Sequence, residues 1–529
     1  MLLGVSQLLL TFSMNTLTPI INARSRYSIL KFIQTSLRSG KCAWVRHAIL
    51  VLFPIVTNAG PAFAHGFAFR YDLPLPLHLY LGAAGGIVFF SFFVIAYAFR
   101  FNTPLKSHNF SLYPFLPRRS FRDALRVILA SLSITLFTLI IIAGLFGNQS
   151  PIKNIAPVTV WVIWWVGFVY LAALLVNMWP LFNPWDAIFR VFERVTRKKF
   201  KSFTYPKTLG YWPALVLFLI FAWSELVWPK GEHPRTLALM ILGYSMFCFT
   251  GMAVYGRQSW LKKAEVFSVT FSVFGRFAPI HIGNETTAPY LRYYGVGLLP
   301  QRPTSLSLTI FILTLLATVS FDGFMETPIW STLKGIVLST ASLAPTLLFM
   351  KATFGDLELV IETTGLIGAP LVFTLIYLGI CWTMSKLYKS SKNVKPEMGS
   401  PLLLARWLVF SLVPIAIAYH LAHYLSYLLI AGQLFIPLIS DPLGLGWNLF
   451  NTAGWQINIG VINAKTIWHI SIFVIVVGHI ISVYLSHRTS LRLFGRERKV
   501  VIVHAPMVEL MVMYTSLSLW ILAQPIVDN

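Results

Sequence analysis

Residues Ala418–Ala431 read AYHLAHYLSYLLIA and lie within a mainly apolar run from Leu404 to Ala431. Two histidines, His420 and His423, stand three residues apart inside it. At about 1.5 Å of rise per residue, such a run is long enough for a helix to cross a hydrocarbon layer about 30 Å thick. The fold therefore turns on whether the same texture recurs elsewhere, and it does. Of 529 residues, 56% are hydrophobic and only 11% are charged, with a mean hydropathy of +0.70. A soluble domain has no interior for that much apolar surface, because ordinary usage is about 45–50% apolar and roughly 25% charged. Lipid covers the outer faces of helices that span it, so the composition predicts an all-α, polytopic transmembrane bundle.

Ten spans are expected: Leu77–Phe99, Val127–Phe146, Val158–Val176, Gly210–Trp228, Thr236–Tyr255, Ser305–Phe321, Thr363–Met384, Leu404–Ala431, Thr466–Leu485 and Pro506–Gln524. Ser331–Met350 reads as interfacial or half-inserted, because counting it as a span spoils the alternation of charge between loops. With the amino end outside, the loops Arg100–Arg126, Asn177–Thr208, Gly256–Thr304, Ser385–Pro401 and Ser486–Ala505 become cytoplasmic. Each carries four or more Lys or Arg, whereas the long opposite loop Gly432–Lys465 carries only Lys465. That asymmetry predicts a multi-pass membrane protein with its mature amino terminus and its carboxyl terminus extracytoplasmic. It also disposes of the net charge of +24 as a nucleic-acid signal, since the cations form no single face.

The amino end is basic and irregular, followed by AILVLFPIVT (Ala48–Thr57) and then Ala62-Phe63-Ala64. Basic flank, short apolar core and small residues form a signal-peptide pattern, dividing the chain into a leader, 1–64, and one membrane domain, 65–529. The alternatives are a later start or an uncleaved anchor. Cleavage after Ala64 would free His65, whose amine and imidazole nitrogen together chelate copper well. The cysteines Cys42, Cys248 and Cys381 show no metal or disulfide spacing, and no Walker A, GxSxG, HExxH or GxGxxG string is present.

Two cytoplasmic segments look interfacial. Asn183-Pro184-Trp185-Asp186 opens a helix with a capping Asn, a first-turn Pro and an early carboxylate, and its arginines face away from Ile188, Phe189, Phe192 and Val195. Ala264–Pro279, AEVFSVTFSVFGRFAP, lies on the headgroups or dips into the bilayer.

Once the chain is oriented, polar residues collect on the outer side. His420 and His423 differ by about 4.5 Å of rise and about 60° of arc, so both address one direction, and Tyr427 extends that face. His469 and His78 mark outer ends of spans, with His65 just beyond. Glu225, Asp322 and Glu326 sit at the outer ends of two others, and Glu358, Glu362 and Asp441 share that side. Ionisable groups in lipid usually face a bundle interior or a wet cavity. Neutral imidazoles ligate metals, so His420, His423, His469, His65 and His78 are candidate ligands for a divalent ion, copper or zinc. Asp322, Glu326 and Glu225 are the candidate catalytic acids or bases, acting on metal-activated water. Two other uses compete: interhelical hydrogen bonding, and a proton or ion path. His479 is an alternative haem ligand with His420 or His423, His487 reads as solvated beside Arg488, and His504, Met507 and Met511 share a face that suits packing or Cu(I). The Gly-, Pro- and Trp-rich loop after Ala431, with a turn at Asp441-Pro442, is long enough to lid an outer cavity.

The strings AHGFAFRYDLPLPLHLYL, NPWDAIF, FSVTFSVFGRFAP, SFDGF, YHLAHYLSYLL, DPLGLGWNLF and GHIISVYLSH together resemble a bacterial multipass membrane family, the fenitrothion hydrolases, from about Ala64 to the last span. The resemblance implies hydrolysis of an organophosphotriester and assigns no residue a role. Beside a metal-dependent membrane hydrolase taking a small apolar substrate stand two other readings: a transporter for a metal or small solute, and a haem- or copper-carrying membrane subunit whose partner subunits are unknown.

Overall fold

Nine helices among the described residues are long and apolar enough to cross a membrane. The structure, a computed structural model, describes residues 71–98, 110–111, 119–200, 203–282, 289–389, 399–495, 499–524 and 527–528. The leader and His65 lie outside them. The nine are α1 (Leu77–Ala98), α2 (Arg119–Phe146), α3 (Ile155–Leu174), α6 (Pro234–Tyr255), α9 (Leu306–Met325), α12 (Leu357–Lys389), α13 (Pro401–Ser440), α14 (Ala464–Phe494) and α15 (Lys499–Ala523). Between them run α4 (Pro184–Thr196), α5 (Trp212–Leu226), α7 (Arg257–Lys263), α8 (Val266–Phe274), α10 (Pro328–Ser339) and α11 (Ala344–Phe354). Among the described residues, strands are confined to two-residue pieces, such as the antiparallel trio Phe110–Ser111, Tyr290–Leu291 and Ile280–His281.

Each of the nine overlaps a run expected from the sequence. The expected span Gly210–Trp228 is the shorter α5, of 15 residues, and Ser331–Met350 falls on α10 and α11, which meet at a 65° bend. Helix starts follow the side-chain chemistry at their caps. Asn183 Oδ1 accepts the amide of Asp186 at 3.0 Å, Ser305 Oγ that of Leu308 at 3.2 Å, and Asn463 Oδ1 that of Thr466 at 2.8 Å. Each satisfies an amide that the first helical turn leaves without a carbonyl.

Burial sorts the helices into an inner and an outer set. In α13, 78% of the most apolar window is buried inside the protein, against 17% in α2, so α13 is central and α2 turns its apolar surface outward. Close approach of the central pair depends on one small residue. A Cβ on Gly478 of α14 would stand 2.4 Å from Ala418 Cβ and 2.9 Å from the Pro414 carbonyl of α13, so only glycine admits this contact.

Two readings of the sequence need correction. α8 does not rest on headgroups: seven of its residues, among them Phe267, Phe271 and Phe274, are buried in the bundle. Only Ser268 and Ser272, on one edge, escape burial, so the rest of the helix is apolar and there is no charged side to give to headgroups. His487 is not solvated either. α14 continues past the expected span end to Phe494, and His487 is packed against Phe92 of α1 and His504 of α15, with neither ring nitrogen bonded.

Candidate functional site

The sequence SFDGFM winds the last turns of α9 and sets Asp322 against α13. His423 Nε2 donates to Asp322 Oδ2 at 3.0 Å, and the Tyr424 hydroxyl donates to the same oxygen at 2.5 Å. A carboxylate only accepts, so this bond places a proton on Nε2, and whenever the ring is neutral Nδ1 is its basic nitrogen. The pair is enclosed but not sealed, with side-chain exposures of 12% for His423 and 15% for Asp322. Gly323 makes room for it. A Cβ there would meet the Tyr419 hydroxyl at 2.4 Å, Ile521 at 2.8 Å and His423 Cε1 at 3.4 Å.

One turn earlier on α13, His420 is buried and its Nε2 has no partner. Its ring stands edge-on to Trp165 at 6.1 Å and lies 4.7 Å from Tyr424. Trp165 belongs to a stretch of α3, Val158–Val166, wound as a π-helix. Such widened turns release backbone carbonyls and recur at functional sites. Tyr170 ties the same helix to α13 by donating to the Leu421 carbonyl at 2.6 Å. Between α3, α5, α9 and α13 lies a cavity of about 30 Å³, lined by Glu225, His420, Tyr424 and Thr318 among others. That volume accommodates one water molecule, and these side chains supply the polar partners a water needs. Glu326, four residues after Asp322, caps α9 at the exposed rim and interacts electrostatically with His423 and Asp322.

The candidate acids Glu225, Asp322 and Glu326 thus come together with His420 and His423. The other candidate ligands do not join them. His469 is exposed at the start of α14, its Nδ1 bonded to the Lys465 carbonyl at 2.7 Å and its ring 6.0 Å from Tyr71. His78 is exposed on the first turn of α1. Among the described residues, no three His, Cys, Asp or Glu side chains form a group able to hold a metal ion. Charge counting fixes depth along the membrane normal but not the direction in which a side chain points, and it is direction that separates His78 and His469 from the pair.

The remaining polar residues have other partners. Glu362 pairs with Lys334 at 3.2 Å and Glu358 pairs with the same lysine, while Asp441 accepts the Leu445 and Gly446 amides at 2.9 and 2.7 Å. His479 Nδ1 donates to the Ile475 carbonyl at 2.8 Å, and its ring packs against Tyr514 rather than His420 or His423. His504 Nε2 bonds Ser486 Oγ at 2.8 Å, and Met507 and Met511 are buried on its helix.

Sequence reasoning passed over Tyr424 and Tyr419, although both flank the histidines in the opening stretch. It also passed over Glu265, which caps α8 and is fully buried. Oε1 accepts from Tyr244 Oη (2.6 Å) and Phe267 N (3.0 Å); Oε2 accepts from Ser268 N (2.8 Å), Asn183 Nδ2 (3.2 Å) and Trp179 Nε1 (3.3 Å). Five donors on one carboxylate mark a structural anchor. Nearby, Asp186 pairs with Arg190 and, at 2.5 Å, with Arg257, whose guanidinium is held above its ordinary range: burial lowers it, but the hydrogen bond and charge of Asp186 outweigh that. The signal for Glu265 was an acid directly before an apolar run, which is a capping position as well as a candidate charge.

No family model, curated protein or solved structure matches this chain. Its function is therefore argued from the cluster itself.

Proposed function

We propose that this chain is a multi-pass membrane enzyme in which Asp322 and His423 form the acid–base pair of a hydrolase for small, neutral, ester-type substrates. The observation that carries the reading is the hydrogen bond from His423 Nε2 to Asp322 Oδ2. A carboxylate on one ring nitrogen holds the tautomer, makes the other nitrogen basic and stabilises the imidazolium that forms when it takes a proton. Water then loses a proton to His423 Nδ1 as its oxygen bonds the phosphoryl or acyl centre. The bond to the leaving oxygen breaks, and the proton returns from His423 to that oxygen. Tyr424 shares the charge on Asp322, and Glu225 with His420 holds a water beside the pair. The family resemblance supports an organophosphotriester as the ester class, and the loop charges support a site open to the outside of a bacterial plasma membrane.

A divalent copper or zinc ion was the sequence expectation. The described side chains do not fit one, because no three of their His, Cys, Asp or Glu groups come together as a ligand set. A second reading, proton-coupled transport, is favoured by the succession Glu326, His423, Asp322, Tyr424, His420 and Glu225 across three helices.

The test is release of nitrophenolate from a dialkyl nitrophenyl phosphate by purified protein in detergent. Asp322→Asn should lower kcat by about 10²–10⁴-fold, the usual worth of general acid–base catalysis, and Asp322→Glu should recover part of it. Equal rates and pH profiles in wild type and Asp322→Asn would refute the hydrolase reading. Pyranine-loaded liposomes reporting solute-driven, Asp322-dependent proton uptake would establish the transport reading instead.

A further inference from the structure

α4 leaves the bundle half-way along its length. Pro184–Ala187 and Phe189 are buried, but from Arg190 to Lys199 every residue except Glu193 and Thr196 is exposed. At about 100° per residue, Ile188, Val191, Phe192 and Val195 share an arc of about 100°, and the charged residues of the helix share the opposite one. The apolar arc is bare: Val191 is 51%, Phe192 49% and Val195 76% exposed. Arg197, in the left-handed conformation at φ 52°, ends the helix. The chain then turns so that Phe200 stacks on Phe192 with ring centroids 5.2 Å apart, which enlarges the apolar tip.

The charges divide into two groups. Toward the bundle, Asp186 pairs with Arg190 and Arg257, and Glu193 pairs with Arg257 at 3.2 Å, so these are matched within the protein. Toward the tip stand Arg194, Arg197, Lys198 and Lys199, all exposed. Among the described residues, no side chain forms an ion pair or hydrogen bond with any of those four side chains. Their charges face outward without a counter-charge.

The tip lies at the level where a span ends. Beyond Phe200 the chain returns to α6, and the Phe203 amide donates to the Val254 carbonyl in the last turn of that helix at 2.9 Å. The end of a membrane span stands near the boundary between acyl chains and headgroups. Nucleic acid would supply negative charge there but nothing for the apolar stripe. A zwitterionic headgroup layer would admit the stripe but leave the cations unmatched. Anionic phospholipid supplies both, acyl chains on one side and phosphates on the other.

We propose that the free end of α4, from Val191 to Lys199, is a docking surface for anionic phospholipid. Val191, Phe192 and Val195 lie among the upper acyl chains, and Arg194, Arg197, Lys198 and Lys199 take headgroup phosphates. Hydrolysis at Asp322 plays no part in it.

The test places the full chain in phosphatidylcholine nanodiscs holding a small fraction of a diazirine-bearing lipid, either phosphatidylglycerol or phosphatidylcholine. After irradiation, adducts are mapped by peptide mass spectrometry. Peptides from Val191 to Phe203 should carry at least about fivefold more of the glycerol probe than of the choline probe, while the exposed face of α12 around Leu371 and Leu375 takes both equally. Each cation beside an anionic surface is worth about fivefold in affinity, the equivalent of about 1 kcal/mol. Arg194→Gln/Lys198→Gln/Lys199→Gln should therefore bring the glycerol probe down to the choline level. Lys386→Gln/Lys389→Gln, in the last turn of α12, should leave the ratio within about twofold. Val195→Asp should lower labelling of the segment by both probes, because a carboxylate does not enter among acyl chains. The substituted side chains are exposed, and a gel-filtration profile like that of wild type qualifies each variant. Equal labelling of the segment by the two probes, a ratio that survives the triple substitution, or labelling unmoved by Val195→Asp would overturn the proposal. A segment that neither lipid labels but that ultraviolet light crosslinks to added oligonucleotide would assign the cations to nucleic acid instead.

Discussion

Replacing Glu265 by Gln tests whether the buried carboxylate anchors the junction of α6, α8 and the segment Trp179–Asn183. Gln keeps the shape of the side chain but puts an NH₂ group where one oxygen stood. Turned toward Oε2, that group meets three donors, on Ser268, Asn183 and Trp179; turned toward Oε1, it meets two, on Tyr244 and Phe267. The second choice costs less, because the Tyr244 hydroxyl can rotate and accept. It still leaves the Phe267 amide facing a donor, at a cost of about 1–3 kcal/mol. The three bonds that survive lose their charge assistance, each falling by about 1 kcal/mol. Relief from burying a full charge offsets part of that total, so a net loss of about 2–4 kcal/mol is expected. Unfolding titrations in mixed micelles, followed by tryptophan fluorescence, measure it. Tyr244→Phe combined with Glu265→Gln should be non-additive by about 1 kcal/mol, because the two share a bond. A loss below about 0.5 kcal/mol, or full additivity, would show that the five donors do not depend on the carboxylate.

Other expectations follow from single contacts. Gly323→Ala drives a methyl against the Tyr419 hydroxyl at 2.4 Å and Ile521 at 2.8 Å, so it should destabilise by about 1–3 kcal/mol and lower turnover as the Asp322–His423 pair is displaced; unchanged stability and rate would contradict the close approach. A Cβ on Gly251 would lie 2.2 Å from the Trp260 ring, so Gly251→Ala should shift the Trp260 emission maximum and lower the thermal midpoint, and the same spectrum would argue against that packing. Prolonged dialysis against a chelator should leave hydrolysis within twofold of the untreated rate; loss restored by one added metal would return a cation to the mechanism. Reporter fusions after Arg119 and Asn451 should report cytoplasm and exterior respectively, and a reversal would overturn the topology.

Apolar runs of about twenty residues made the fold legible, because lipid imposes on every span a length and a polarity that the sequence must display. The candidate acids were legible for the same reason: an Asp or Glu in such a run stands out. Partners were harder to read. His420, His423, His469 and His78 look alike in one dimension, yet only the first two point inward, and helix rotation within the bundle is set by packing at places such as Gly478 and Ala418. The burial of His487 was hidden because α14 runs on beyond its apolar run into a region covered by α1 and α15. Glu265 went unread as an anchor, since its five donors come from α6, α8 and the segment Trp179–Asn183, which are apart in the chain and meet only after folding.

The shortness of α5 has a consequence for the membrane around it. Fifteen residues extend about 22 Å, some 8 Å less than the hydrocarbon layer. A bilayer meeting so short a flank thins locally, drawing headgroups and their hydration inward along that side of the protein. Glu225 sits one residue from the end of this helix, so such a dimple would reach the level of its carboxyl group. Protons could then reach the interior through deformed lipid, with no water-filled channel through the protein, and bilayer thickness would itself set how readily they arrive.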